Sequence, residues 1–408
     1  MNILYLCDEY PPGRHGGIGT VVHMLAHTMA DLGHKVTVVG FYDWGYGGKD
    51  EFDDGKVKVY RFRRGMASKL FEEQDSLFAR GLFKLCKVSG LFQRDIKKSL
   101  VRYKAFVESL IERHNIDIIE MPDYNDYIRF CNSYVPFPKF SVPTVVKLHG
   151  SLTYIGHNNN TEVPAHVVAM ERHILAQAEG VCSVSKYRAD MAQVYKEYEG
   201  DIAVMYNGIE TASIQPYETK YHNRVVFTGT LNANKGIFQL AKAWNKVVSK
   251  LPDAELVVFG KGPIEKIKAL LTEQAKAMVS FKGHVPRADL FQYLGESAVA
   301  IFPSYAESFA LAPMEAMACK TAVVYTKRTS GPELIEDNVN GMLVDPDDVE
   351  GIAEKLLQLL TNPDLAQQLG ERARQHVLDN FSMRVVGQKH TGYYQSILEA
   401  NNSLRKTK

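Results

Sequence analysis

The chain has 408 residues, of which 45% are hydrophobic and 23% charged, and its formal net charge is +1. The length exceeds that of one ordinary hydrophobic core, so two domains of about 200 residues each are expected. The near-neutral charge gives no indication of a nucleic-acid binder or of an enzyme that acts on acidic substrates.

The five cysteines are too scattered for a metal site or a disulfide framework, which predicts a reduced, cytosolic chain. They are Cys7, Cys86, Cys131, Cys182 and Cys319. The chain runs from Met1 directly into an apolar segment without a basic leader, so no secretory signal is expected. No apolar run approaches the roughly 20 residues that a membrane span needs.

Short apolar runs alternate along the chain with segments of helical period, such as 21–32, 238–248 and 349–360. The predicted strands are 3–6, 36–41, 57–62, 116–120, 144–148, 181–184, 202–206, 225–228, 255–259, 279–282, 299–303, 322–325 and 342–344. This alternation is typical of parallel sheets covered by helices on both faces. Ligands of such sheets bind outside the carboxyl ends of the strands.

The strand–helix pattern restarts near Asn207, which divides the chain into an N-terminal domain, 1–205, and a second domain, 206–382. The remaining segment, 383–408, is predicted to be a helix with a basic tail. Because it follows a complete second domain, we expect this helix to cross back and brace the first.

Two loops of the first domain follow predicted strands and are candidates for ligand contact. The first, 9–20, has glycines at 16, 17 and 19 that allow a close approach of the backbone, although an ordinary tight turn explains them equally well. The second holds His149, which ends the strand 144–148 beside Gly150. A lone histidine is more often structural than functional, so that alternative stays open.

The stretch 78–104 is strongly basic and interleaved with apolar residues, which is the composition of an interfacial membrane segment. Its basic residues are Arg80, Lys84, Lys87, Arg94, Lys97, Lys98, Arg102 and Lys104, and its apolar ones include Phe78, Leu82, Phe83, Leu85, Leu91 and Phe92. The alternative is an ordinary amphipathic helix pair packed on the first domain.

In the second domain, a turn of small residues follows the strand 225–228 and ends at Lys235, before a helix that opens at Gly236. The strand 299–303 leads into another helix, and Pro313 fixes its start near 309–312 because proline is tolerated only in a first turn. Free amides at such a helix start attract anions. The alternative interpretation is that Lys235 is an ordinary solvated charge on the surface.

Glu307 and Glu315 stand on either side of that helix start. Eight helical residues would separate them by about 12 Å of rise, too far for the shared-proton carboxylate pair of a glycosidase. The spacing suits a long ligand, with a carboxylate for hydroxyl groups at each end and a diphosphate on the amides between. A solvent-facing Glu307 and a Glu315 that merely favours the helix dipole would give the same spacing.

Together these motifs resemble the family-four, or group 1, glycosyltransferases, over nearly the whole length. The resemblance rests on Glu307-x7-Glu315, the glycines 16–19, His149-Gly150, Asn207–Glu210, Lys235-Gly236, 260–263, 331–335 and 340–346. It implies the GT-B fold, an α/β architecture of two Rossmann-like, doubly wound parallel-sheet domains facing a cleft, with the C-terminal helix crossing back to the first domain.

The resemblance also implies roles for individual residues. Glu307, His149 and Lys235 would be catalytic: Glu307 would contact the transferred sugar, Lys235 would neutralise the diphosphate, and His149 would line the reaction centre. The donor-binding set would be Gly16, Gly17, Thr230, Lys235, Gly260, Ser308, Phe309, Ala310, Leu311 and Glu315. The family needs no divalent metal, so neither a metal nor another cofactor is expected. One position departs from the family pattern, since Thr230 replaces the usual arginine, and Lys327 or Arg328 are candidates to compensate.

The expected function is metal-independent transfer of a hexose-type sugar from a nucleotide-diphosphate sugar, with retention of anomeric configuration. The expected acceptor is a glycan or a lipid-linked molecule bound by the first domain. The expected location is the cytoplasm, with 78–104 as a peripheral contact to the inner face of an anionic membrane. Two alternatives remain: a GT-B-fold nucleotide-sugar epimerase or hydrolase, and a non-catalytic nucleotide-sugar-binding subunit, for which Thr230 is the motive.

Overall fold

The computed structural model describes residues 1–13, 16–42, 48–65, 77–217 and 221–406. They form two compact units. One comprises Met1–Tyr206 with Val386–Lys408, and the other comprises Asn207–Val385. Arg14 and His15, inside the predicted loop 9–20, lie outside the described residues, as do 218–220 and the last two residues of the basic tail.

An eight-stranded sheet forms the centre of the first unit. Its strands are β1 (Asn2–Leu6), β2 (Lys35–Tyr42), β3 (Glu51–Asp54), β4 (Val57–Arg63), β5 (Ile118–Pro122), β6 (Thr144–Leu148), β7 (Gly180–Ser183) and β8 (Ala203–Val204). The order is β3-β4-β2-β1-β5-β6-β7-β8. All pairings are parallel except that of β3 with β4. The chain proceeds outward from β1 in one direction and then from β5 in the other, so the switch point of this doubly wound sheet lies between β1 and β5.

Strand β3 is absent from the sequence prediction. Glu51–Asp54 carries three acidic residues and one half-buried Phe52, so it has no apolar run to mark it. It pairs with β4 through a tight turn at Gly55, whose φ of 60° favours glycine. An acidic edge strand of this kind also discourages pairing with another chain.

Six helices follow strands of the first unit. They are α1 (Gly17–Asp31), α2 (Leu77–Val88), α3 (Leu91–His114), α4 (Leu152–Asn158), α5 (Ala165–Ala176) and α6 (Lys186–Val194). Helix α3 shows why they pack: Phe92, Ile96, Leu100, Tyr103 and Val107 repeat every three or four residues and are all buried.

The second unit holds a six-stranded, all-parallel sheet. Its strands are β9 (Tyr221–Thr228), β10 (Glu255–Phe259), β11 (Val279–Gly283), β12 (Ser297–Phe302), β13 (Ala322–Thr326) and β14 (Met342–Val344). Their order is β11-β10-β9-β12-β13-β14, so the switch point lies between β9 and β12. The fold class predicted from the sequence is therefore confirmed.

In the described ranges, eight helices follow strands of this sheet, and a ninth comes after them. They are α7 (Ile237–Lys250), α8 (Ile264–Lys268), α9 (Glu273–Ala277), α10 (Arg287–Glu296), α11 (Leu311–Ala318), α12 (Gly331–Leu334), α13 (Val349–Leu360), α14 (Pro363–Asn380) and α15 (Met383–Lys406). From Val386 onward, α15 belongs to the first unit, as predicted for the C-terminal helix.

Two further expectations concern the cysteines and the membrane. All five cysteines are buried, and none of them is in a disulfide. None of the helices in the described ranges is both long enough and apolar enough to cross a membrane.

Candidate active site

The switch point of the second sheet brings together the two loops that the sequence singles out. Strands β9 and β12 are neighbours, and both run parallel, so the residues that follow them emerge at the same edge. The backbone amide of Tyr305, after β12, donates to the carbonyl of Asn234, after β9, at 2.7 Å. A crevice of this kind is where doubly wound sheets bind ligands.

Gly236 is the residue that lets these loops meet. Its φ is 71°, and a Cβ atom there would stand 1.9 Å from the carbonyl oxygen of Pro303, so no other residue fits without moving the backbone. Just before it, the side chain of Asn232 accepts from the amide of Lys235 at 3.1 Å and closes a short turn. The position of Lys235 is therefore fixed by the backbone on both sides.

Lys235 and Glu307, 72 positions apart in the chain, form an ion pair across the crevice. The Nζ–Oε1 distance is 2.5 Å, and the side chains are 31% and 12% exposed. An ion pair this short between partly buried groups holds both side chains at the switch point. Each side chain therefore has its partner in the other.

The helix start predicted from Pro313 follows shortly after Glu307 in the chain. Helix α11 begins at Leu311, and its N-cap, Ala310, has no side chain that satisfies the first amides. Ser308 is half-buried, whereas the ring of Phe309 is buried against Phe381 with centroids 5.5 Å apart. The ring of Phe309 is therefore structural, and its carbonyl accepts from the side chain of Asn207 at 3.2 Å.

Glu315, on the second turn of α11, is paired with Arg287 at 2.6 Å. Burial raises the pKa of Glu315, and the guanidinium of Arg287 opposes that shift. Arg287 is the first residue of α10 and is 46% exposed. Sequence reasoning missed it because an arginine after Pro286 is indistinguishable from an ordinary charged residue of a helix start.

Gly260 and Thr230 flank this site in different ways. Gly260 follows β10 with a φ of 136°, and a Cβ atom there would stand 1.8 Å from the carbonyl oxygen of Gly229. Backbone packing therefore requires glycine at position 260, whether or not a ligand binds nearby. Thr230 is exposed, and its side chain does not cap the turn. Its carbonyl oxygen accepts from the backbone amide of Asn232 at 2.9 Å.

Lys327 and Arg328, the candidates to replace a cation at Thr230, are already paired with acids. Arg328 contacts Asp345 and Asp347 at 2.6 Å each, and Lys327 lies 3.4 Å from Asp345. Both follow β13, which is separated from β9 by β12. These contacts argue against compensation by either residue.

In the first unit, the glycine-rich loop follows β1 at that sheet's switch point. The carboxylate of Glu9 accepts from the amide of Gly16 at 2.8 Å and so occupies the start of α1. A Cβ atom at Gly19 would stand 2.2 Å from the Glu9 carbonyl oxygen, whereas at Gly17 it would meet nothing within 4 Å. Packing therefore explains Gly19 but leaves Gly17 open to a ligand.

His149 follows β6 and is held through its backbone. Its amide donates to Asp123 at 2.8 Å, and the amide of Gly150 donates to the same carboxylate at 3.1 Å. Arg188 anchors Asp123 at 3.0 Å and also contacts Glu197 at 2.6 Å. Burial, with Lys147 and Arg188 nearby, holds the pKa of His149 well below its usual value, so the ring is neutral at pH 7.

Sequence reasoning missed the network that positions His149, and it missed one acid. Asp123 is the first polar residue after β5, at the switch point, and that position was the available signal. Arg188 lies on α6 without any such signal. Asp8, directly after β1 beside Cys7, is the missed acid: burial raises its pKa to about 7, opposed by a hydrogen bond from the amide of Phe41.

Two doubly wound parallel sheets on one chain, with a cation–carboxylate pair beside open helix amides at a switch point, are the arrangement of GT-B glycosyltransferases. The family comparisons agree. Residues 15–213 match the family described as Glycosyltransferase Family 4, and residues 210–376 match Glycosyl transferases group 1. The chain is a member of these glycosyltransferases, and the resemblance noted in the sequence is confirmed.

Among its relatives is the glycogen synthase of Mycobacterium tuberculosis (strain ATCC 25618 / H37Rv), which is 23% identical over 95% of this chain and 92% of the relative. Two solved structures share the fold. Sucrose-phosphate synthase from Thermosynechococcus elongatus has a TM-score of 0.73 at 18% identity, covering 98% of this chain and 100% of that one. A TarM variant from S. aureus, in complex with fondaparinux, α-GlcNAc-glycerol and UDP, has a TM-score of 0.70 at 15% identity, covering 97% and 100%.

Proposed function

We propose that this glycosyltransferase moves a hexose-type sugar from a nucleoside-diphosphate sugar to a glycan or lipid-linked acceptor, with retention of anomeric configuration and without a metal at the donor site. The observation that carries the proposal is the Lys235–Glu307 pair at the switch point beside the uncapped start of α11. A cation, a carboxylate and free amides within one crevice match the diphosphate, the sugar hydroxyls and the remaining phosphate oxygens of such a donor.

The donor takes its orientation from the two carboxylates. Glu307, at the end of the crevice that holds Lys235, hydrogen-bonds the hydroxyl groups of the transferred sugar. Glu315, inside α11, hydrogen-bonds the ribose hydroxyls, with Arg287 beside it. The amides of residues 308–311 and the ammonium of Lys235 hold the diphosphate between them.

Transfer proceeds by attack on the face from which the leaving group departs. The bond from the anomeric carbon to the phosphate oxygen breaks, and the bond to the acceptor oxygen forms. The acceptor's proton passes to an oxygen of the departing diphosphate, whose charge Lys235 and the helix amides stabilise. His149, neutral because its pKa is depressed, can hydrogen-bond an acceptor held by the first unit without adding charge.

A screen of UDP-, GDP-, ADP- and TDP-sugars tests this proposal. Thermal shift identifies the nucleotide that binds, and NMR of the product in the presence of glycan or lipid-linked acceptors gives the anomeric configuration. We expect transfer with retention at full rate in excess EDTA. An inverted product, or activity lost with EDTA and restored by magnesium or manganese, would show that the donor site has been misinterpreted. A free epimer of the donor sugar would indicate an epimerase.

A non-catalytic nucleotide-sugar-binding subunit is the second candidate, and the lack of a cation at Thr230 favours it. Lys327 and Arg328 form ion pairs with Asp345 and Asp347, so Lys235 would neutralise the diphosphate without a second cation from these two residues. This alternative predicts donor binding in the thermal-shift screen without hydrolysis or transfer for any acceptor.

For the acceptor, we propose peripheral contact of the first unit with an anionic membrane through α2 and α3. Phe92 is buried and Leu82 and Phe83 pack on the core, so part of the predicted apolar set is structural. Leu85 and Val88, however, are 63% and 74% exposed, and beside them in the chain Lys84 is exposed and Lys87 is half-buried. The side chains of Phe78 and Arg80 lie outside the part of the chain that the structure describes.

Vesicle co-sedimentation at low and high salt tests the membrane contact. Each basic residue near an anionic surface contributes roughly 1 kcal/mol, and this attraction is screened by salt. We expect binding at low salt that weakens in a Leu85→Ser/Val88→Ser variant and not in Val194→Ser, which changes a side chain 63% exposed on α6. Absence of binding at low salt would favour an acceptor in solution.

A further inference from the structure

A histidine–carboxylate cluster lies in the first unit, apart from the residues given a role above. His23 and His27 are four residues apart on α1, so their side chains share one face of the helix. Asp54 ends β3, and its Oδ2 atom is 3.2 Å from Nε2 of His23 and 2.9 Å from Nε2 of His27. The hydroxyl of Tyr10 donates to the same oxygen at 2.9 Å.

The distances between these atoms are close to those of a metal coordination sphere. The three candidate ligand atoms all lie within 4.8 Å of one another. Zinc binds imidazole nitrogen and carboxylate oxygen at about 2.0–2.2 Å, so tetrahedral ligands stand roughly 3.3 Å apart. Small rotations of the side chains would therefore open a position for an ion at the point where both imidazoles now meet the carboxylate.

The exposure and chemistry of the cluster favour a d-block ion. The side chains of His23, His27 and Asp54 are 37%, 34% and 31% exposed, so an ion can enter and keep water as a further ligand. Two imidazoles and one carboxylate suit Zn²⁺, Co²⁺, Ni²⁺ or Cu²⁺, whereas Mg²⁺ prefers an all-oxygen set. The charged neighbours are engaged elsewhere: Lys56 pairs with Asp31, and Lys58 pairs with Asp53.

We propose that His23, His27 and Asp54 form a binding site for a divalent d-block ion, with Zn²⁺ the physiological candidate. The ion joins α1 to the edge hairpin β3–β4, and Tyr10, hydrogen-bonded to the ligand Asp54, connects the loop after β1. Strands β4, β2, β1 and β5 separate β3 from β6, the strand that leads to His149. We assign the site a structural role that involves neither His149 nor the Lys235–Glu307 pair.

Calorimetric titration of the chelator-treated full chain, without a polyhistidine tag, with ZnCl₂ tests the site. We expect one ion per chain, and a rise in Tm of roughly 5 °C at about a hundredfold excess over Kd. His27→Ala and Asp54→Asn should each weaken binding by at least about 10- to 100-fold, the loss that follows removal of a residue that merely hydrogen-bonds to a metal ligand. His376→Ala, which changes a half-buried histidine of the second unit, is the matched control and should bind as the unaltered chain does.

Co²⁺ provides a readout that does not depend on the variants folding. Its visible d–d spectrum in the unaltered chain should show a four- or five-coordinate ion with nitrogen ligands. Weak binding of several ions per chain would overturn the proposal, leaving a hydrogen-bonded cluster alone. Equal affinity in His27→Ala, Asp54→Asn and the control would do the same, since the ion would then be held elsewhere.

Discussion

The ion pair between Lys235 and Glu307 makes a counterintuitive prediction for Glu307→Gln. Glu307 engages Lys235 at 2.5 Å, so a diphosphate must compete with this carboxylate for the ammonium. Glutamine removes the competing charge while keeping the shape. We therefore expect Glu307→Gln to bind the nucleoside diphosphate more tightly than the unaltered protein and yet to turn over more slowly.

The expected gain follows from the exposure of the pair. Lys235 is 31% exposed, so the pair is worth about 1 kcal/mol, the upper end for solvent-screened ion pairs. This corresponds to about fivefold in the Kd of the diphosphate. Lys235→Ala should weaken the same binding by about fivefold to thirtyfold, because a charge-assisted contact of about 1.5–3 kcal/mol is lost and solvent reduces it.

Calorimetry with the nucleoside diphosphate measures both effects, and a double-mutant cycle isolates the coupling. In the Lys235→Ala background, Glu307→Gln should have a smaller effect on diphosphate affinity, because only the repulsion between the carboxylate and the diphosphate is then removed. Glu350→Gln, which breaks the ion pair of Lys246 and Glu350 between α7 and α13 of the same unit, controls for the loss of a surface carboxylate. Diphosphate binding that is unchanged or weaker in Glu307→Gln would refute competition for Lys235.

Three further perturbations test the site and the first unit. Glu315→Ala should raise the Kd of the donor by about tenfold and change the turnover rate of the bound complex little, since ribose contacts are similar in the ground and transition states. Equal losses in donor affinity and in turnover rate would contradict a ribose role. Thr230→Arg should tighten nucleoside-diphosphate binding by about threefold to thirtyfold, and a folded variant with unchanged calorimetric affinity would contradict it. Asp8 has its pKa raised by burial to about 7, so the folded state binds its proton more tightly than the unfolded state and stability falls as pH rises from about 4 to 7. Asp8→Asn should flatten this dependence in urea denaturation at pH 5 and pH 8, and an unchanged difference between the two pH values would show that other groups cause it.

The parts of the site that the sequence predicted are those fixed by local backbone constraints. A helix tolerates proline only in its first turn, so Pro313 predicted a helix start near 309–312. Helix α11 begins at Leu311, within that interval. Gly236 opens α7, and its positive φ is the conformation that favours glycine. Such signals need only the neighbouring residues, so a single sequence contains them.

The parts that the sequence could not predict depend on contacts between distant segments. The approach of Lys235 to Glu307 follows from the sheet order, in which β9 and β12 are neighbours although two strands separate them in the chain. The pairing of Arg287 with Glu315 and that of Arg188 with Asp123 have the same origin. Strand β3 was missed for a different reason, because an edge strand exposed on one side needs no apolar run.

Charged residues inside the central strands of the first sheet are explained by α15. Lys147 on β6 is 1% exposed, and Glu120 on β5 is 3% exposed, and they are the charged residues of these two strands. Tyr394 donates to Glu120 at 2.6 Å, and His390 lies 3.0 Å from the Nζ atom of Lys147. Both partners come from the C-terminal helix, so the charges mark the strands on which that helix packs.

The protonation of His390 follows from its two partners. Burial and the charge of Lys147 hold its pKa well below the usual value, so the ring is neutral and carries one proton. The carbonyl of Val386, 2.8 Å from Nδ1, can only accept, which places the proton on Nδ1. Nε2 is then free to accept from the ammonium of Lys147, and a buried lysine obtains a partner without a second charge. The C-terminal helix thus supplies the hydrogen-bond partner of Lys147, which lies two residues before His149.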